Sequence, residues 1–257
     1  MHHLVVLPAG EDRELLADAL WMAGAVGVED LSAAVRGAFT DSGIAKTVAT
    51  QLGGTVEVVA DPDDLDAWRA HATVHQAGPF TVRPPWLDSH PEAVDLVIDP
   101  RHAFGSGSHP STRLALEILA SAVTTGDHVL DVGTGSGILA IGAARLGAGY
   151  VVAVDTDPNA EAAVRAHAEA NGVGSLVAFT RADGVTLCGT HDLGVCNMTI
   201  DLHEELGPTV AERTTIGRMV VAGILVGDQE KRAVAAHART EILDRRADGD
   251  WAALLLG

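Results

Sequence analysis

Val129-Leu130-Asp131-Val132-Gly133-Thr134-Gly135-Ser136-Gly137-Ile138-Leu139-Ala140-Ile141 decides the fold. The stretch opens as a buried β-strand, bends on three glycines and continues as a helix. Glycine is costly inside a regular element, because it loses the most backbone freedom on folding. It suits a place where the chain turns tightly and a ligand lies against bare backbone at a helix start. The dinucleotide spacing Gly-x-Gly-x-x-Gly is one residue longer than Gly133-x-Gly135-x-Gly137. Asp131, two residues before the first glycine, would repel a phosphate and suits a cationic ligand carrying an amino group. The next strand, Tyr150 to Asp155, ends in an acid placed to accept both hydroxyls of a ribose. A glycine-rich turn in an unrelated α/β protein and a nicotinamide dinucleotide site are the competing readings.

Read together, Asp-x-Gly-x-Gly-x-Gly and the second acid resemble the S-adenosylmethionine site of class I methyltransferases. The surrounding rhythm agrees. Strands are expected near Asp95–Ile98, Val129–Val132, Val151–Asp155, Leu176–Arg181, Leu193–Asn197, Arg218–Gly223, Glu241–Ala247 and Trp251–Leu256. Helices are expected near Thr112–Ser121, Ile138–Leu146, Pro158–Asn171, Leu202–Arg213 and Asp228–His237, which alternate with the strands as in an open parallel sheet. The last two strands have no helix between them, so they form an antiparallel hairpin. Asp157 caps a helix with Pro158 at its first position, and Asn171-Gly172 supplies a left-handed stop.

The first sixty residues follow another order. His3–Leu7, Val26–Leu31, Ala33–Phe39 and Thr55–Ala60 read as strands, Asp12–Ala23 and Ile44–Leu52 as helices. The order β-α-β-β-α-β indicates a small α+β ferredoxin-like domain. From Asp61-Pro62-Asp63-Asp64 to Glu92 the chain is rich in proline and lacks periodicity, with Trp68 and Phe80 to Trp86 available to pack at a domain junction. The expected layout is a ferredoxin-like domain over 1–60, a linker over 61–92 and a Rossmann-like α/β methyltransferase domain over 93–257, mostly parallel with the C-terminal hairpin.

Composition narrows the function classes. Apolar residues make up 47% and charged residues 20%, which suffices for a core built of small aliphatics. No apolar run reaches the roughly 20 residues of a membrane span, and the start lacks the pattern of a secretion signal, so a cytoplasmic protein is expected. Cys188 and Cys196 are expected to stay reduced, and no metal site is expected. The net charge of −18 argues against direct nucleic-acid binding and favours a basic partner; acidity that serves only solubility is the other reading.

A second glycine- and hydroxyl-rich loop precedes the helix at Thr112. Asp99-Pro100-Arg101-His102-Ala103-Phe104-Gly105-Ser106-Gly107-Ser108-His109-Pro110-Ser111-Thr112-Arg113 offers backbone donors for a carboxylate; equally, it reads as an N-capping loop with Ser111 or Thr112 as the cap. This run resembles the Asp-Pro-x-x-Ala-Phe-Gly-Thr-Gly-x-His-x-Thr-Thr loop of the PrmA family, which methylates the eleventh protein of the large ribosomal subunit. Gly24 to Glu29, Val195-Cys196-Asn197, Val221 to Leu225 and Gly249-Asp250-Trp251 resemble further family segments, so the likeness spans nearly the whole chain.

The resemblance implies S-adenosylmethionine as cofactor and amine methylation of a basic ribosomal protein, on Lys side chains and the N-terminal amine. It implies that Asp155 holds the ribose and Asp183 lies by the adenine, although a solvated turn acid before Gly184 reads Asp183 as well. Asp131, Gly133, Gly135 and Gly137, with Phe104, Gly105 and Ser106, would take the methionine part. Asn197 and Ser111 would meet the substrate amine, Asn197 also bordering the cofactor. Met198-Thr199-Ile200 departs from the family pattern beside the amine site, and so keeps open an N-methyltransferase for a small molecule or another protein.

Overall fold

The computed structural model describes residues 2–8, 13–25, 27–31, 34–59, 73–89, 92–99, 107–182 and 188–257. They fall into two compact units, the first running to Thr73 and the second starting at Val74.

The first unit holds β1 (His2–Pro8), α1 (Arg13–Met22), β2 (Gly27–Leu31), β3 (Ala34–Phe39), α2 (Ser42–Leu52) and β4 (Thr55–Val59). Its sheet runs β2-β3-β1-β4 with every pairing antiparallel. β3 alternates half-buried and buried residues, which sends Val35 and Phe39 into a core with Val5, Leu7, Leu20 and Val48. α2 starts where Asp41 accepts from the backbone N–H groups of Gly43 and Ile44, and stops at Gly53 in the left-handed region.

The second unit begins earlier than the prolines suggest. β5 (His75–Ala77), β6 (Phe80–Arg83) and β7 (Val94–Val97) form a separate three-stranded sheet, β5 antiparallel and β7 parallel to β6. The segment 94–97, expected in the large sheet, is therefore not part of it. Phe80 and Val82, expected at a junction, are buried in the core of the second unit with Leu96 and Ile98. Arg83 meets Asp95 in a largely buried ion pair at 2.7 Å, and Asn171 exchanges two 2.8 Å hydrogen bonds with the Val97 backbone. Trp68 lies outside the described residues.

The large sheet contains β8 (His128–Val132), β9 (Tyr150–Asp155), β10 (Val177–Arg181), β11 (Gly189–Asn197), β12 (Thr214–Leu225), β13 (Ile242–Asp248) and β14 (Trp251–Leu256). Their order is β10-β9-β8-β11-β12-β14-β13, parallel except for β14 against β12 and β13 against β14. Order therefore reverses at β8, and such a switch point opens a crevice at the carboxyl ends of the strands. The helices are α3 (Pro110–Ala122), α4 (Ile138–Arg145), α5 (Pro158–Ala170), α6 (Ile200–Arg213) and α7 (Asp228–Ala236). Alternate residues of the central strands feed two cores: Val129, Val151 and Val195 pack with α3 and α4, while Leu130, Val154 and Val221 pack with α6 and α7. A sheet covered on both faces needs such continuous apolar strands. No helix among the described residues is long and apolar enough to cross a membrane.

Candidate active site

β8 gives way to the glycine loop at the switch point. Gly133, Gly135 and Gly137 have φ of +73°, +53° and +82°, a region that side-chain-bearing residues avoid. The Gly133 and Thr134 amides both donate to Val154 O on the neighbouring strand, at 2.9 and 3.0 Å. A β-carbon on Gly137 would lie 3.0 Å from Val164 of α5, and one on Gly133 would lie 3.2 Å from Met198 Cε. The loop is held from β9, α5 and the segment after β11, and the Gly133, Thr134, Gly135 and Gly137 amides all donate within the fold, so what it offers a ligand is backbone bare of side chains.

Asp131 is the floor of this cradle, 1% exposed. Its Oδ2 accepts from Thr134 Oγ1 at 2.6 Å and from the Ala140 amide at 3.1 Å; its Oδ1 is buried and without a partner. Burial pushes the carboxyl up to about 7, against the two hydrogen bonds that favour the anion and with help from the charge of Asp155. A bare buried carboxylate oxygen calls for a cation. Thr134 escaped the sequence reading, although its place three residues after Asp131 across the turn was the available signal.

Asp155 ends β9, as expected. One of its oxygens accepts from Gly135 N and the other from Asp157 N, each at 2.9 Å. A carboxylate offers about four acceptor sites. Asp155 thus uses one of them on the glycine loop and one on the turn into α5, and keeps two for hydroxyl donors.

The second cluster forms where α3 meets the end of β11. Asn197 Nδ2 donates to Thr112 Oγ1 at 3.2 Å, across 85 positions of sequence. Ser111, the expected partner of Asn197 at the amine, turns elsewhere: its hydroxyl lies 2.7 Å from His109 Nδ1, which also accepts from the Ser111 amide. That shared nitrogen therefore carries the lone pair, and Ser111 donates to it. The cap of α3 is accordingly His109, two residues earlier than the nearer of the two expected caps. Burial, followed by the Arg113 cation, holds His109 down to about 4, and its ring meets Trp251 edge-on at 4.5 Å. Helix periodicity explains the exchange of roles, because adjacent residues Ser111 and Thr112 point about 100° apart.

The segment after Asn197 is clamped by β12. Met198 N donates to Ala222 O at 3.2 Å. Gly223, at φ +81°, lies so close that any β-carbon there would overlap Met198 O. The register of β12 against β14 shifts at this point, between Val221 and Ile224. Burial drives the neighbouring Cys196 thiol well above its ordinary range, so Cys196 is no nucleophile. Phe104, Gly105, Ser106 and Asp183 lie outside the described residues.

This geometry fits an adenosyl sulfonium: a buried acid with an unpaired oxygen for its positive end, a second acid for its hydroxyls, and glycine backbone bare of side chains between them. Comparison with known proteins points the same way. The family model described as ribosomal protein L11 methyltransferase (PrmA) matches residues 8–256. A ribosomal protein L11 methyltransferase of Thermus thermophilus is 39% identical over 206 residues, 79% of this chain and 81% of the relative. That of Pelotomaculum thermopropionicum is 38% identical, over 78% of this chain and 67% of the relative. A crystal structure of a ribosomal protein L11 methylase from Lactobacillus delbrueckii subsp. bulgaricus superimposes with a TM-score of 0.65 at 29% identity, covering 72% of this chain and 97% of that one. The chain belongs to the PrmA family of ribosomal protein L11 methyltransferases, and is an S-adenosylmethionine-dependent methyltransferase.

Proposed function

We propose that this protein methylates amines of ribosomal protein L11, on Lys side chains and the N-terminal amine, in the cytoplasm. The single observation that carries the reading is the pairing of Asn197 with Thr112 beside the glycine loop, which leaves a polar, oriented amide at the carboxyl end of β11. S-adenosylmethionine supplies, when bound, a sulfonium-activated methyl group and departs as a neutral thioether. Asp131, Asp155 and the glycine loop would hold it, with Phe104, Gly105, Ser106 and Asp183 as further proposed contacts. The task left to Asn197 is to accept an N–H of the incoming amine through Oδ1 and aim its lone pair. Ser111, committed to His109, acts at one remove, by shaping the start of α3 and so the seat of Thr112.

A lysine amine, with an ordinary pKa near 10.4, must lose its proton before transfer. Desolvation and the nearby cation lower that value, so positioning does most of the work and no strong base is required. We assign residues 1–60 to substrate recognition and the catalytic domain to the second unit, from Val74 onward. The net charge of −18 supports a basic protein partner and disfavours direct contact with nucleic acid.

Purified protein, labelled S-adenosylmethionine and L11 are expected to yield methylated Lys residues, read by intact mass and peptide mapping. Asn197→Ala should lower kcat about 10–100-fold with donor affinity unchanged. Absence of transfer to L11 from pH 7 to 9, with transfer to small amines, would reject the ribosomal substrate.

A further inference from the structure

Two buried imidazoles stand behind the clamp on Met198 and take no part in the site as described so far. His203 on α6 is fully buried, and His237, just past α7, nearly so. His203 Nε2 lies 2.9 Å from Ala222 O, the same carbonyl that accepts from Met198 N. A carbonyl only accepts, so Nε2 carries the proton and Nδ1 the lone pair. That Nδ1 lies 2.9 Å from His237 Nε2, which must then be the donor. His237 donates to His203, His203 donates to Ala222 O, and that same carbonyl accepts from the peptide N–H after Asn197.

The turn that delivers His237 is strained. Ala238, at φ +51°, is the one residue other than glycine with positive φ among the described residues. Such a conformation persists where the surroundings over-determine it. Here they do: His237 is bonded to His203 on one side, and on the other Arg239 donates to Ile216 O and Gly217 O. Burial, above all, keeps both rings neutral, His203 held down to about 4 and His237 to about 3. The chain of donors therefore persists across the working pH range.

We propose that His203 is a positioning residue for methyl transfer, which through Ala222 O fixes the Met198 peptide and thereby the direction of the Asn197 amide, while His237 holds it in the donating tautomer. The inference rests on the reading that Asn197 meets the amine. A displacement of 1 Å at a reacting centre can cost about a hundredfold in rate. A slack peptide next to Asn197 is enough to produce one.

The test compares His203→Leu, His203→Gln, His237→Leu and Asn197→Ala over a range of donor concentrations up to saturation. His203→Leu is expected to lower kcat about tenfold with the KM for donor within about twofold. His203→Gln, which restores an N–H donor, should recover most of that loss. His237→Leu should fall between them; it borders a cavity of about 320 Å³ also lined by Val210, Met219 and Arg239, so the fold has room for the change. Amide exchange at Met198 should quicken in His203→Leu, and the double variant with Asn197→Ala should be no slower than Asn197→Ala alone. If Asn197→Ala leaves kcat unchanged, the reading of the amine site falls and the inference with it. If Asn197→Ala is slow while His203→Leu or His237→Leu turns over like wild type, or if the two losses add, the inference alone falls.

Discussion

At the scale of residues, the contest at Asp131 between burial and hydrogen bonding is the most consequential. Two hydrogen bonds favour the anion, but complete burial outweighs them, and a carboxyl with an ordinary value of 3.8 titrates at about 7. A displacement of that size disfavours the anion by on the order of 4 kcal/mol. Below pH 7 the Asp131 carboxyl thus holds a proton that a cationic donor must expel. Affinity for S-adenosylmethionine should rise between pH 6 and pH 8, with release of up to one proton on binding. Calorimetry in buffers of different ionisation enthalpy measures that proton directly. Asp131→Asn should abolish the release and weaken binding about tenfold; unchanged proton release in the variant would contradict the assignment. Asp131 was readable as a chemistry-bearing position from local pattern, Asn197 from the family resemblance of its segment. Thr112 was not, because a hydroxyl in a helix declares its partner only once that partner, here 85 positions away, has been folded against it.

At the scale of elements, the bulge in β12 does what no regular strand could. The chain order Val221-Ala222-Gly223-Ile224 places a left-handed glycine against Met198 O and turns Ala222 O towards both Met198 N and His203. Gly223→Ala adds a β-carbon into that carbonyl at a φ unfavourable to it, and should cost at least about 2 kcal/mol of stability with a fall in kcat. Ala238→Gly should act the other way, raising stability by about 0.5–1 kcal/mol as left-handed strain is relieved. Urea unfolding of both variants checks the pair. Strand and helix positions in the second unit follow the apolar pattern, although β11 and β12 each start four residues earlier than it indicates. β5 and β6 did not show in the sequence, since three- and four-residue strands among prolines are too short for period-two alternation to declare itself.

At the scale of the whole molecule, two buried histidines and the half-buried His109 set the response to acid. His109, His203 and His237 are held down to about 4, 4 and 3, well below an unfolded value near 6.5. Between pH 6.5 and pH 4 the unfolded chain binds protons that the native one refuses, so their stabilisation, complete above pH 6.5, is lost as pH falls. Asp131 opposes them: its folded value is raised, so its contribution is complete below 3.8 and lost as pH rises through 7. Three imidazoles against one carboxyl leave a net slope of about two protons, or roughly 3 kcal/mol per pH unit at most. The urea midpoint should therefore fall from pH 6.5 to pH 5, and fall more steeply in Asp131→Asn. A midpoint flat over that range would overturn the assignment of neutral buried rings.

The sequence by itself determined the α/β class and the glycine bend with its two acids, because strand–helix alternation and glycines between a strand and a helix are local patterns, while Asn197 was legible only through the family resemblance of its segment. Tertiary structure alone decided which hydroxyl meets Asn197, which residue caps α3, where the second unit begins, and that two distant histidines lie behind the site. Those outcomes depend on partners brought together from far along the chain, and no local propensity encodes which of two adjacent side chains a packed helix will turn towards them.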